Sequence, residues 1–222
     1  MSKVIIDIET IGKDFSDFEE KDQIYLLKYA KTEEEREIVK NSLSLYALTG
    51  EVVTIGMLNP ETGRGVVFFQ DKGENIEKFE KDGIVYDSGN EKEILEKFWN
   101  LVKTYRQIIT FNGRSFDIPY LMVRSAINKI RTTRNFMSYR YSSREHCDLM
   151  EQFTFYGASR KFSLDFYAKA FGIKSPKEEK TNGSMVGQLY KEKKYLEVAY
   201  YCTKDLHTTK ELYDYWNNYL KF

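Results

Sequence analysis

The stretch Val4-Ile5-Ile6-Asp7-Ile8-Glu9-Thr10 lies near the head of the chain. A short apolar run of this kind reads as a buried strand. Side chains alternate along a strand, so Asp7 and Glu9 share one face. Two carboxylates on one face at the end of a buried strand repel each other and resist desolvation. A divalent cation offsets both costs. Further ligands for such a cation are therefore expected elsewhere in the chain.

Outward from that strand, residues 13–45 are rich in Glu, Asp and Lys. They read as a helical insertion on the sheet edge. Ile24, Leu26, Leu27 and Tyr29 mark one short helix, and Thr32 with Glu35 fits a capping box for a second. Residues 51–57 (EVVTIGM) and 65–70 (GVVFFQ) read as a strand pair across the turn Asn59-Pro60-Glu61-Thr62-Gly63. Residues 91–105 carry apolar residues at helical spacing, from Ile94 to Val102. Residues 107–111 (QIITF) form a fourth strand. After the loop Asn112-Gly113-Arg114-Ser115 a helix starts with Pro119 in its first turn. Residues 145–150 make a fifth, short strand. Helices follow at 163–171, at 184–190 after an Asn182-Gly183 turn, and along 192–219. This order predicts one α/β domain, 1–222, with a mixed five-stranded sheet flanked by helices.

Composition narrows the class. The 222 residues include 17 Tyr and 15 Phe against 3 Pro, which is ample core material and not a disordered composition. Lys plus Arg equals Asp plus Glu, at 34 each, so any nucleic-acid surface must be local. Cys147 and Cys202 form no CxxC pair, which favours a reducing compartment and the role of small buried hydrophobes. No stretch approaches the ~20 apolar residues of a membrane span, so no membrane partner is expected and the protein reads as cytoplasmic. No GxxxxGK[ST] loop occurs, which argues against a nucleotide triphosphatase.

Asp117 follows a predicted strand end and opens a helix. Ligands of α/β sheets gather at the carboxyl ends of strands. Tyr201 and Asp205 stand at i and i+4 on the last helix and so share a face. Asp7, Glu9, Asp117 and Asp205 together offer four hard oxygen ligands, suited to two Mg2+ or Mn2+ ions. Two such ions roughly 3.5–4 Å apart clamp the attacking and leaving oxygens of a phosphoryl transfer.

The ordered set Asp7-Ile8-Glu9-Thr10, Asn112-x-x-x-Phe116-Asp117 and Tyr201-x-x-x-Asp205 resembles the three motifs of the DEDD exonucleases in their tyrosine-bearing subclass (DEDDy). These belong to the DnaQ-like, ribonuclease H-like superfamily. The closer resemblance is to the predicted 3′-5′ exonucleases related to family B DNA polymerase proofreading domains. Residues 48–56 resemble the second strand of that family, residues 109–121, 146–150 and 182–184 resemble its later segments, and only about residues 13–45 match poorly. The resemblance implies a ribonuclease H-like fold and metal-dependent 3′-5′ exonuclease activity on single-stranded nucleic acid with a free 3′ end, DNA more than RNA, releasing nucleoside monophosphates. It implies that Asp7, Glu9, Asp117 and Asp205 hold the metals and that Tyr201 orients, and helps deprotonate, the attacking water. Thr10, Asn112 and Phe116 would lie beside the terminal nucleotide, with Phe116 equally well read as core. Two other readings stand beside this one: a nucleic-acid binding module that does not cleave, and a ribonuclease H-type endonuclease.

Residues 124–144 hold five Arg and one Lys without an acid, with Phe136, Tyr139 and Tyr141 among them. This pattern suits a strand-binding groove in which cations, Arg140 and Arg144 included, track phosphates and tyrosines stack on bases. Asp148 reads as a hydrogen-bonding or capping residue near the site. His207 falls on another face of the helix from Asp205, against the histidine-bearing subclass. The sequence names no protein partner.

Overall fold

The computed structural model describes residues 2–173 and 185–221. The expected Asn182-Gly183 turn and the start of its helix at Ser184 lie outside the described residues. The elements run β1 (Lys3–Gly12), α1 (Glu20–Leu26), α2 (Glu33–Asn41), β2 (Gly50–Leu58), β3 (Gly65–Gln70), β4 (Phe79–Lys81), β5 (Ile84–Gly89), α3 (Glu91–Val102), β6 (Gln107–Thr110), α4 (Asp117–Ile127), β7 (His146–Asp148), α5 (Leu149–Phe153), α6 (Leu164–Ala170), α7 (Val186–Lys191) and α8 (Tyr195–Tyr219). This is a mixed α/β fold consistent with the ribonuclease H-like class.

The strands form one mixed sheet in the order β4-β5-β3-β2-β1-β6-β7. β1 runs antiparallel to β2 and parallel to β6, which in turn runs parallel to β7. Among the described residues the sheet has seven strands where the sequence predicts five. The two additional strands are β4 and β5. They lie in a polar, turn-rich segment, and only Ile84 and Tyr86 give β5 an inward-facing alternation. Tertiary pairing to β3 supplies what the local pattern lacks.

Helices cover both faces, which is why β1 and β2 read as near-continuous apolar runs. On one face Val4, Ile6 and Ile8 pack with Phe98 and Trp99 of α3 and Ile118 and Leu121 of α4. On the other, Ile5, Val53 and Val67 pack with Leu206, Leu212 and Trp216 of α8. Thr32 and Glu35 form the expected capping box of α2, and Asn90 and Glu93 form another at α3. Helices α1 and α2 lie within the 13–45 stretch and bury no side chain of their own.

The register of β1 against β2 places Asp7 opposite Gly56 and Glu9 opposite Thr54, with a bulge just beyond at Glu9/Thr10. A Cβ on Gly56 would stand 2.6 Å from Cys202 Sγ and 2.7 Å from Leu206 Cδ1. Bare backbone at that position therefore lets α8 lie against the sheet beside Asp7. Among the described residues no helix is long and apolar enough to cross a membrane.

Candidate active site

Three elements meet at the carboxylate cluster. β1 carries Asp7 and Glu9 on the face that α8 covers. α8 brings Tyr201, Cys202 and Asp205. Asp117 arrives at the first position of α4, just past the end of β6. Ile8 donates its backbone N–H to Asp117 Oδ1 at 3.2 Å, which ties the start of α4 to the middle of β1. Ligand atoms of Asp7, Glu9 and Cys202 lie within 4.8 Å of one another. Only Asp7 and Glu9 of the five residues singled out in the sequence fall in that tight group. Asp117, Tyr201 and Asp205 lie near enough for the charges of Glu9, Asp205 and Asp117 to act on Asp7, and those of Asp205, Glu9 and Asp7 on Tyr201.

The electrostatics are those of like charges held out of water. Asp117 and Glu9 are buried, while Asp7 keeps a partly exposed edge. Asp7 Oδ2 is buried and has no hydrogen-bond partner. Burial, then the charges of Glu9, Asp205 and Asp117, push the Asp7 carboxyl well above the usual carboxylate range, while the neighbouring Cys202 thiol pulls the other way. Burial pushes Asp117 up to about 7, against hydrogen bonds from the amides of Asp117 and Ile8 and with help from the Asp148 charge. Burial and the charges of Asp205, Glu9 and Asp7 also raise the Tyr201 phenol, and its hydrogen bond to Asp205 acts in the same sense. An orphaned buried oxygen among mutually repelling carboxylates fits a divalent cation, which would satisfy the oxygen and neutralise the cluster together.

The loop leading into α4 is shaped by Asp148. Its Oδ1 accepts the Asn112 N–H at 2.9 Å and its Oδ2 accepts the Arg114 N–H at 2.8 Å. Oδ1 also caps α5 by accepting the N–H groups of Met150 and Glu151. Asn112 takes a left-handed conformation, φ 64°, that turns the chain from β6 toward Asp117. Gly113 sits tightly over Thr110, where a Cβ would lie 2.5 Å from the Thr110 Cβ.

The other sequence-derived residues are placed as follows. Thr10 donates its hydroxyl to the Ser44 carbonyl at 2.8 Å. Phe116 is half-buried against the core and close to the Tyr120 ring. Asn112 stands half-buried at the loop start. Arg140 projects to the surface and pairs with the buried Glu151 at 2.7 Å, and Arg144 is exposed. The basic stretch is not one continuous groove. Arg124 is buried and makes a forked pair with Glu91 at 2.8 and 2.6 Å, and Arg134 binds the carbonyls of Tyr105 and Arg106. An acid 33 residues upstream neutralises Arg124, and the local window gives no sign of it. Tyr139 and Tyr141 are exposed and meet edge to face. Cys202 is the residue the sequence reading missed. It is buried as expected, yet its sulfur adjoins the carboxylates. Its place one residue after Tyr201 was the available signal.

A family model described as "Predicted 3'-5' exonuclease related to the exonuclease domain of PolB" matches residues 65–219, which hold Asp117, Tyr201 and Asp205. The chain belongs to this family. Asp7 and Glu9 precede the matched stretch, and the pairing of β1 with β2 and β6 is what sets them beside it. Two curated relatives carry the name DNA polymerase 1. The chain is 25% identical over 134 residues to that of Sulfurisphaera ohwakuensis, covering 54% of this chain and 15% of the polymerase. It is 27% identical over 77 residues to that of Sulfolobus acidocaldarius, covering 33% of this chain and 9% of the polymerase. The chain thus matches only a small part of either polymerase's length.

Proposed function

We propose that the protein is a 3′-5′ exonuclease that uses two divalent ions, Mg2+ or Mn2+, to hydrolyse the terminal phosphodiester of single-stranded nucleic acid, with DNA preferred to RNA. We further propose that residues 1–222 work as one exonuclease domain. The observation that carries this reading is the meeting of Asp7, Glu9, Asp117, Tyr201 and Asp205 around the orphaned Asp7 oxygen, in a chain of the exonuclease family.

Asp7, Glu9, Asp117 and Asp205 would hold the ions, which supply charge neutralisation at the scissile phosphate and a more acidic water. The rest is done by the chain's own groups. In the metal-free chain burial and the surrounding carboxylates favour the protonated Tyr201 phenol. With the cations in place it would orient, and help deprotonate, the attacking water. Asp148 holds the 112–114 loop and so fixes where Asn112 and Phe116 stand beside the last nucleotide. Arg144, with the exposed rings of Tyr139 and Tyr141, would contact the strand leading away from the site. Asp117 at the start of α4 keeps that helix's position locked to β1, so the metal ligands stay in register.

The test is digestion of matched DNA and RNA oligonucleotides labelled at the 5′ end. The expected product is a ladder shortened one nucleotide at a time from the 3′ end, dependent on Mg2+ or Mn2+ and abolished by a chelator. Cutting of a circular substrate would favour the endonuclease reading. Tight strand binding with no cleavage in either metal would favour a binding module.

A further inference from the structure

We propose that Cys202 adds a sulfur donor to this centre, so that thiophilic divalent cations such as Zn2+ or Cd2+ bind to an Asp7–Glu9–Cys202 set and switch cleavage off. The proposal rests on the metal-centre reading above and deepens it.

Among the described residues, these three form a group of ligating side chains with atoms all within 4.8 Å of one another. Adjacent donors around a tetrahedral zinc with ordinary Zn–S and Zn–O lengths stand about 3.5 Å apart, so modest side-chain rotations would close the set. The placement of the sulfur is built into the fold. Cys202 Sγ lies over Gly56, where any Cβ would meet it at 2.6 Å, and it points at the Asp7 backbone oxygen 3.7 Å away. Within the set, the buried Asp7 Oδ2 has no hydrogen-bond partner and is open to a cation. Cys147 is the internal contrast. It is an equally buried free thiol that lies in no such group among the described residues.

Hard ions such as Mg2+ favour oxygen and ignore a thiol, whereas zinc and cadmium favour thiolate. A thiophilic ion would therefore draw Asp7 and Glu9 into a sulfur-containing set and withdraw them from Mg2+. On binding, the S–H bond is lost, the metal–sulfur bond forms and the proton passes to solvent. No oxidant or reductant takes part.

The experiment titrates Cd2+ into the metal-free, full-length chain. A sulfur-to-cadmium charge-transfer band in the ultraviolet should appear and saturate at one equivalent. Cys202→Ser should remove the band and weaken Cd2+ binding at least about tenfold, since even outer partners of metal ligands are worth about 10–100-fold. Cys147→Ser should keep the band. A cadmium NMR resonance of the unsubstituted chain in the sulfur-ligated range reads the same point without a substitution. Cd2+ binding with no such band or resonance, or a band that survives Cys202→Ser, overturns the proposal. Oligonucleotide cleavage in Mg2+ is read separately. A chain that shows the band but never cleaves keeps the sulfur site and refutes the exonuclease reading, and a chain that cleaves without the band does the reverse.

Discussion

Asp148 and Asp7 are two carboxylates set into the same sheet, and they have opposite surroundings. Asp148 ends β7 almost fully buried and accepts N–H groups from Asn112, Arg114, Met150 and Glu151. Asp7 has a buried oxygen that nothing satisfies, facing three other acids. Burial alone does not separate the two, since it raises both. What separates them is the company each keeps. A carboxylate surrounded by donors is part of the scaffold, and one surrounded by carboxylates is part of a site awaiting positive charge. The buried Glu91 completes the picture, since Arg124, Asn128 and the Val52 amide all serve it.

The contrast makes its sharpest prediction for Asp7→Ala. Cleavage should fall by about 10³-fold or more, the scale of losing one preorganised electrostatic group. In the metal-free state the variant should melt no lower than the parent, because a repelling charge has gone. Asp148→Ala should act the other way round on stability. It orphans several buried amides at about 1–3 kcal/mol each, so a loss of about 3 kcal/mol in denaturant unfolding is expected. An Asp7→Ala protein that unfolds easily, or an Asp148→Ala protein that does not, would erase the distinction.

A smaller effect comes from pH. Asp117 titrates at about 7 in the folded chain against an ordinary 3.8. A raised carboxyl pKa means that the unfolded chain ionises first, so metal-free stability is fullest below about pH 4 and is lost as pH rises through 7. A bound cation removes that loss. The rise in melting temperature on adding Mn2+ should therefore grow between pH 5 and pH 8, by an amount equivalent to about 2–3 kcal/mol for this one group. His146 works in the opposite sense. Burial, with the Arg114 charge, lowers it to about 3 from 6.5, so its contribution is complete above 6.5 and is lost as pH falls toward 3. It lies away from the cluster, bound to Thr110 and the Phe136 carbonyl, and should affect the metal-free and metal-loaded curves equally. Measuring both curves separates the two groups.

The smallest effect is expected at Tyr201. Tyr201→Phe keeps the ring and removes one donor, so single-turnover cleavage should slow about tenfold, the worth of a net hydrogen bond of ~1 kcal/mol. Mn2+ affinity should be retained. An unchanged rate would assign Tyr201 to packing.

Much of this architecture is legible in the sequence because its signals are local. The β1 run, the Thr32 capping box and the i, i+4 pairing of Tyr201 with Asp205 each lie within a few residues. Strands β4 and β5 were not legible, because their pairing with β3 is what makes strands of Phe79–Lys81 and Ile84–Gly89. The Arg124–Glu91 pair escaped for the same reason, and with it the true extent of the basic surface. Gly56 and Cys202 show the limit most clearly. Neither is remarkable in its own neighbourhood, and their meaning appears only when α8 crosses β2 and sets the sulfur beside Asp7.

The central claim is that the Asp7 cluster exists to bind cations. Calorimetric titration of Mn2+ into the metal-free chain and into Asp7→Ala, side by side, tests it directly. Two ions bound by the parent in the presence of a single-stranded oligonucleotide, with that binding lost or strongly weakened in Asp7→Ala, is the predicted result. Equal Mn2+ binding by the two proteins, or none by the parent, would contradict it.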